Sequence, residues 1–349
     1  MTLRQLMIGA TKTAVCVAAI AWVARGVDFG GWGAVWLDAD KSLLAAAVLL
    51  FFATPVLQGV RLRRLLAGQG ISLGAAESVQ LAFAGNFMNF AAPIGSTSGD
   101  VYKAIYLGRR EQQGWEAATV TFLDRAVGLG TLLLSVTAIA LLSGADSRLS
   151  PLRGYLTVLS LGMLAAIAAT LWLTAPGADR LGAWLARAPK RATLERIAHA
   201  TRALFSRPGV LALAVVDTVG IQIAAAGSFL CLALALGFAI NPDDLLAVYA
   251  FFSSGEIVKA LPGPPQGLGT MEVAYSFFFA DWAGPTQIVS AALAIRAVNL
   301  ICSLPGAAFV VGWKPGASSP AIQPVGPGGT PRRATEAAGA PAAPAAAVP

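Results

Sequence analysis

The sequence predicts an all-α polytopic membrane protein: six spanning helices plus two re-entrant helical hairpins, arranged as an inverted-topology repeat. Three observations predict it. Apolar residues make up 56% of the chain and charged residues 12%, where a soluble domain carries about a quarter charged residues. Stretches such as 154–175 and 286–312 are apolar over lengths that reach the ~20 residues needed to cross a bilayer as helix. The Lys and Arg residues collect in separate loops, in a pattern that fixes sidedness.

The first apolar run, 6–24, follows Arg4 and has the outline of a secretory signal. Lys12 interrupts it, and the run continues past any Ala-x-Ala cleavage site, so an uncleaved first helix is expected. A second span covers 42–60, with Arg61, Arg63 and Arg64 directly after it and Asp28, Asp38 and Asp40 in the loop before it. Because Lys and Arg favour the cytoplasmic side, that loop is placed outside and the arginine cluster inside. Segment 78–107 starts apolar and is then broken by Pro93, Gly95 and Gly99. A full crossing would put Arg109 and Arg110 outside, against the charge rule. A hairpin that enters and returns on the cytoplasmic side keeps them inside. Broken backbone at membrane depth is tolerated where it is buried in protein or faces a watery cavity.

A long span, 117–143, then leads out and 154–175 leads back. Residues 176–208 hold seven Lys or Arg and fit a cytoplasmic loop. Within it Leu181, Trp184, Leu185 and Ala188 form a helical stripe, suited either to the headgroup region or to packing on the protein's own loops. Span 209–237 leads out again to a turn marked by Asn241, Asp243 and Asp244. Segment 245–282 is broken at Pro262, Gly263, Gly267 and Gly269 and reads as a second hairpin, entered from outside. The last span, 286–312, ends inside at Lys314. Residues 1–313 therefore form the membrane domain, with repeat halves at about 1–143 and 154–313, and 314–349 read as a disordered Pro/Ala/Gly-rich cytoplasmic tail. Both termini are expected in the cytoplasm, in a protein of the cell membrane. The halves echo each other: Gly85-Asn86-x-x-Asn89 before Pro93 matches Gly255-Glu256-x-x-Lys259 before Pro262.

Ionisable side chains inside membrane segments cost about 2.5–3.5 kcal/mol each to insert, and survive when paired or facing a cavity. Here they cluster in the hairpins and in the spans expected to flank them. Asp100 and Lys103 are one helical turn apart, as are Glu256 and Lys259. Asp124 and Arg125 are adjacent, face different ways, and need different partners. Glu272 follows the second break and Arg296 lies within the last span. Two readings stay open. These charges hold the hairpins together, with Asn86 and Asn89 satisfying opened backbone and Asp217 and Gln222 bonding across helices. Alternatively, both hairpins line one polar cavity whose cations, Lys103, Arg125, Lys259 and Arg296, suit an anionic headgroup such as a phosphate.

The net charge of +7 fits cytoplasmic loops and anionic headgroups and does not indicate nucleic acid. Cys16, Cys231 and Cys302 lie in apolar segments with no metal-ligand or disulfide spacing, and His199 is the single histidine. The pattern therefore implies no catalytic motif, metal site or cofactor.

The series Asn86-x-x-Asn89-x-x-x-Pro93, Gly99-Asp100-x-x-Lys103, Asp124-Arg125, Leu261-Pro262 through Gly267-x-Gly269-x-x-Glu272, and Arg296 resembles the lysylphosphatidylglycerol-synthase transmembrane-region family of flippase-like membrane proteins. That family includes the flippase domain of the multiple peptide resistance factor. The resemblance covers residues 1–313 and implies a domain that moves phospholipids or lipid-linked sugars between leaflets. It implies no aminoacyl transfer, because the synthases' soluble domain has no counterpart here. Lys103 stands where the family leads one to expect Arg, and Asp124 where it leads one to expect Glu; Lys cannot form the bidentate phosphate clamp of Arg. Two other classes fit the same residues. One is an intramembrane transferase acting on a lipid carrier, with Asp100, Asp124 or Glu272 as base. The other is a scaffold for a glycosyltransferase or lipid-modifying enzyme.

Overall fold

A computed structural model of the chain describes residues 28–91 (except 29 and 31), 97–111, 114–144, 148–173, 201–260 (except 204) and 267–312. The chain divides into one compact unit, Met1–Trp313, and a second, Lys314–Pro349, which lies outside the described residues. The expected first span at 6–24 and the stripe at Leu181–Ala188 also fall outside them.

Every long regular element among the described residues is helical. In chain order they are α1 (Trp32–Leu37), α2 (Lys41–Gly68), α3 (Ala75–Ala91), α4 (Ser98–Glu111), α5 (Gly114–Leu142), α6 (Ser150–Leu173), α7 (Pro208–Ala235), α8 (Leu245–Ala260), α9 (Thr270–Phe278), α10 (Pro285–Ser303) and α11 (Pro305–Gly312). Five of them, α2, α5, α6, α7 and α10, are long and apolar enough to cross a membrane. Their outward faces carry exposed apolar side chains such as Leu49, Phe122, Tyr155, Val216 and Ile223, as a lipid-facing surface requires.

The helix ends follow from local sequence. Asp40 caps α2, accepting hydrogen bonds from the Ser42 and Leu43 N–H groups. The Ser42 hydroxyl and these backbone donors hold its carboxyl below the usual carboxylate range. At the other end Gly70, in the left-handed region at φ 79°, and Ile71 donate to the last carbonyls of the helix. Pro208 and Pro285 start α7 and α10, where a missing N–H costs nothing.

Helices α2 and α7, each of 28 residues, form the centre of the bundle and run antiparallel along their whole length. Asp40 N–H donates to the Ala235 carbonyl, Ser228 to Ala47, and Arg64 to Asp217. Helices α3 and α4 fold back on each other around residues 92–96: Gly99 N–H donates to Asn89, and at the far end Glu77 takes the Tyr106 hydroxyl and pairs with Arg110. Helices α8 and α9 do the same around 261–266, with Phe251 stacked on Phe278 at 5.1 Å. The open ends of the two pairs lie at opposite ends of the bundle. Glu77 and Arg110 sit beside the end of α2, where Arg63 donates to the Leu73 carbonyl. Beyond α9, Ala239 donates to Trp282, and Arg148 lies 4.4 Å over the Trp282 ring. Apolar cores fill both ends: Phe229, Phe252, Tyr275 and Phe279 at the second, and Leu62, Leu66, Leu81 and Leu107 at the first.

One expected span is divided. The run 286–312 splits at Leu304 into α10 and α11. Pro305 has no N–H to give the Ile301 carbonyl, which takes that of Leu304 instead. Gly99, expected at the first hairpin's break, sits inside α4. It serves close packing instead, since a Cβ there would lie against the Gly85 carbonyl.

Candidate functional site

Helices α2, α3, α4, α5, α7, α8 and α10 surround a cavity of about 280 Å³. α2 contributes Thr54, Gln58 and Arg61, α3 Asn86 and Asn89, and α4 Asp100 and Lys103. From α5 come Asp124 and Arg125, from α7 Thr218 and Gln222, and from α8 Ser253, Glu256 and Lys259. Asn299 of α10 completes the polar wall. Its charged members are four cations, Arg61, Lys103, Arg125 and Lys259, and three acids, Asp100, Asp124 and Glu256.

Each acid is held by a cation. Asp100 stands in the first turn of α4, where the helix dipole favours a negative charge. It accepts from Arg125 at 2.6 Å, while Lys103 Nζ stands 3.7 Å away, beyond hydrogen-bonding distance. Arg125 also donates to the Ala260 carbonyl at 3.3 Å, so this one guanidinium touches both helical pairs beside their breaks. Glu256 pairs with Lys259 along α8. Asp124 turns the other way from Arg125, as adjacency requires, and accepts from Arg61 Nε at 2.7 Å. Arg61 continues to Thr218 at 3.0 Å, tying α2, α5 and α7 together. Asn86 donates to Gln58, and Asn89 takes the Gly99 N–H.

Glu272 and Arg296, both expected on the cavity wall, pair with each other and are not among the residues that line it. Glu272 is buried and also takes the Gly269 N–H, capping α9. Arg296 reaches on to the Gly267 carbonyl. Gly267 and Gly269, at φ 63° and 83°, supply the left-handed backbone of this turn. Pro93, Gly95, Pro262 and Gly263 lie outside the described residues. The pair has a counterpart in the first half: Asp100 begins α4 and meets Arg125 on the next helix, as Glu272 begins α9 and meets Arg296. Likewise Lys103 packs on Gly85 where Tyr275 packs on Gly255. The first acid–arginine pair lines the cavity, and Glu272 and Arg296 are not among the residues that line it.

Asp217 bonds across helices to Arg64, and Gln222 to Ser135 and Tyr249. Six polar wall residues, Thr54, Gln58, Arg61, Thr218, Ser253 and Asn299, are absent from the sequence-based candidates. By sequence Arg61 groups with the cytoplasmic cluster, although it lies about two turns inside the end of α2. Gln58, Thr218 and Asn299 carry no signal beyond being polar in apolar segments.

Residues 9–306 match the family described as lysylphosphatidylglycerol synthase TM region. The chain is also 25% identical over 319 residues to a protein of Haloferax volcanii named glycosyltransferase AglD, a match covering 80% of this chain and 50% of that one. It thus spans about half the length of that curated relative.

Proposed function

The chain belongs to the lysylphosphatidylglycerol synthase transmembrane-region family, and from that membership we propose that this multi-pass membrane protein moves a phosphate-bearing lipid between membrane leaflets. The observation that carries the proposal is the cavity itself. Four cationic side chains, Arg61, Lys103, Arg125 and Lys259, converge on one cavity inside a bundle whose outer surface is apolar. Charged side chains inside membrane segments have to be paired or face a polar cavity, and a lipid phosphate supplies the anion that excess cations call for. Acyl chains remain outside while the headgroup crosses.

The packing supports a re-entrant, inverted arrangement. Helices α3, α4, α8 and α9 have 17, 14, 16 and 9 residues, and the longest rises only ~25 Å at 1.5 Å per residue, short of a ~30 Å hydrocarbon core. The two pairs open at opposite ends, and the matching helices α2 and α7 run antiparallel, as halves of opposite orientation do. Arg63, Arg109, Arg110 and Arg207 collect at the end expected to be cytoplasmic. In this arrangement rocking of one half on the other gives the cavity alternating access.

The relative's name raises a transferase reading. The acids facing the cavity are each engaged by a cation, Asp100 by Arg125, Asp124 by Arg61 and Glu256 by Lys259, which favours binding over general-base chemistry. Mass spectrometry of lipids copurified in mild detergent tests the proposal. A phosphate lipid should be abundant with the wild-type chain and lost with Lys103→Ala. Retention of the same lipids by both proteins contradicts it, and a covalently altered lipid formed in detergent, where no leaflets exist, favours the transferase.

A further inference from the structure

Two cations of the cavity wall share one carboxylate. Asp100 Oδ2 accepts from Arg125 Nη1 at 2.6 Å, and its other oxygen, Oδ1, stands 3.7 Å from Lys103 Nζ. An ammonium–carboxylate hydrogen bond forms at about 2.7–2.9 Å, so Lys103 lies roughly 0.9 Å short of taking the same acid. That gap is within the reach of lysine's flexible stem without movement of the backbone. The engaged cation is also the accessible one. The Arg125 side chain is 26% exposed, against 20% for Lys259 and 9% for both Lys103 and Arg61. Arg61 is in addition held by Asp124 and Thr218 together.

The protein thus keeps an anion of its own on the cation that an incoming phosphate meets most readily. A guanidinium offers phosphate a planar fork, which an ammonium does not, and Asp100 occupies part of that fork. We infer that Asp100 is exchanged between the two cations: a phosphate that takes Arg125 displaces Asp100, and Lys103 closes on the released carboxylate. Lys103 is then a positioning residue, which promotes binding by keeping Asp100 off Arg125. The inference rests on the headgroup-binding reading above and adds to it the order in which contacts are made and broken. One ion pair is given up and two are formed, so no charge in the bundle is left without a partner. Without Lys103 the displaced carboxylate stands uncompensated beside the phosphate, and two like charges in one desolvated site oppose binding. A lipid headgroup and free inorganic phosphate both present this anion.

The test uses the full chain in phosphatidylcholine nanodiscs, with either phosphatidic acid in the bilayer or inorganic phosphate in the buffer, and reads binding by native mass spectrometry. Asp100→Asn should raise retention of the bound probe about tenfold, because the competing charge is gone while the side chain keeps its shape. Lys103→Ala should lower retention about tenfold in the wild-type background. In the Asp100→Asn background the same change should cost less than about threefold, because no carboxylate is left to hold. Arg125→Lys should lower retention in both backgrounds. Melting temperature is read beside each variant, and Asp100→Ser takes the place of Asp100→Asn if that variant does not fold. Retention unmoved or lowered in Asp100→Asn, a Lys103→Ala loss of equal size in both backgrounds, or Arg125→Lys without effect overturns the exchange and leaves headgroup binding standing. Binding of inorganic phosphate alone, with these effects, supports the exchange and contradicts the lipid reading. Binding of neither probe, to the wild-type chain or to Asp100→Asn, overturns both.

Discussion

Arg61→Met is the substitution whose consequence the structure sets most firmly. Arg61 Nε donates to Asp124 at 2.7 Å and Nη1 to Thr218 at 3.0 Å. The two charged side chains are 9% and 4% exposed. Methionine keeps most of the apolar stem and removes the guanidinium, leaving Asp124 as a buried carboxylate without its cation. Breaking a buried pair from one side costs about 3–5 kcal/mol, and the Coulomb attraction of two charges ~4 Å apart at an effective dielectric constant of 20 is of the same size, ~4 kcal/mol. Asp124→Asn should cost less, about 1–3 kcal/mol, because an acceptor for Arg61 remains. The double variant Arg61→Met/Asp124→Leu should return to within ~1–2 kcal/mol of wild type, since no buried charge is left unpaired. Reversible unfolding in mixed micelles measures all three. A loss below ~1 kcal/mol in Arg61→Met, or a double variant that loses the sum of the singles, refutes the argument that this pair clamps α2, α5 and α7.

Gly99→Ala should destabilise by ~1–3 kcal/mol, because its Cβ meets the Gly85 carbonyl and α3 and α4 must part; a melting temperature raised by the better helix former would contradict this. Glu272→Gln should reduce stability and lipid transfer together, since Glu272 is buried, pairs with Arg296 and caps α9; lost transfer at unchanged melting temperature would place Glu272 in the pathway. With Cys16, Cys231 and Cys302 replaced, Arg109→Cys should label from the cytoplasmic side and Asp243→Cys from the other; labelling of position 109 from outside removes the re-entrant hairpin.

Much of the bundle was legible because membrane insertion imposes length and charge rules on single segments. Helices α2, α5, α6, α7 and α10 follow from apolar length. The breaks beside Asn89 and Lys259 follow from Pro and Gly inside apolar runs. The partners of the charges were legible only where they were local. Spacing puts Lys103 beside Asp100 and Lys259 beside Glu256, but nothing in the order of residues says that Arg125 would take Asp100 at the shorter distance, or that Asp124 would turn to Arg61. Arg61 was masked by its neighbours: with Arg63 and Arg64 it reads as part of one basic loop, and only the length of α2 reveals that it is inside. Glu272 is ambiguous for the opposite reason, because an acid after a helix break fits a cavity wall and a helix cap equally well.

Transfer of a phosphate-bearing lipid between leaflets, measured in proteoliposomes beside melting temperature for Lys103→Ala and Lys259→Ala, tests the central claim most directly. Both cations line the cavity, and a charge-assisted contact worth about 1.5–3 kcal/mol corresponds to roughly a 10–100-fold loss of transfer. The account predicts that loss with melting temperatures close to wild type. Transfer that falls only in proportion to the loss of folded protein would show that these lysines hold the hairpins and bind no headgroup.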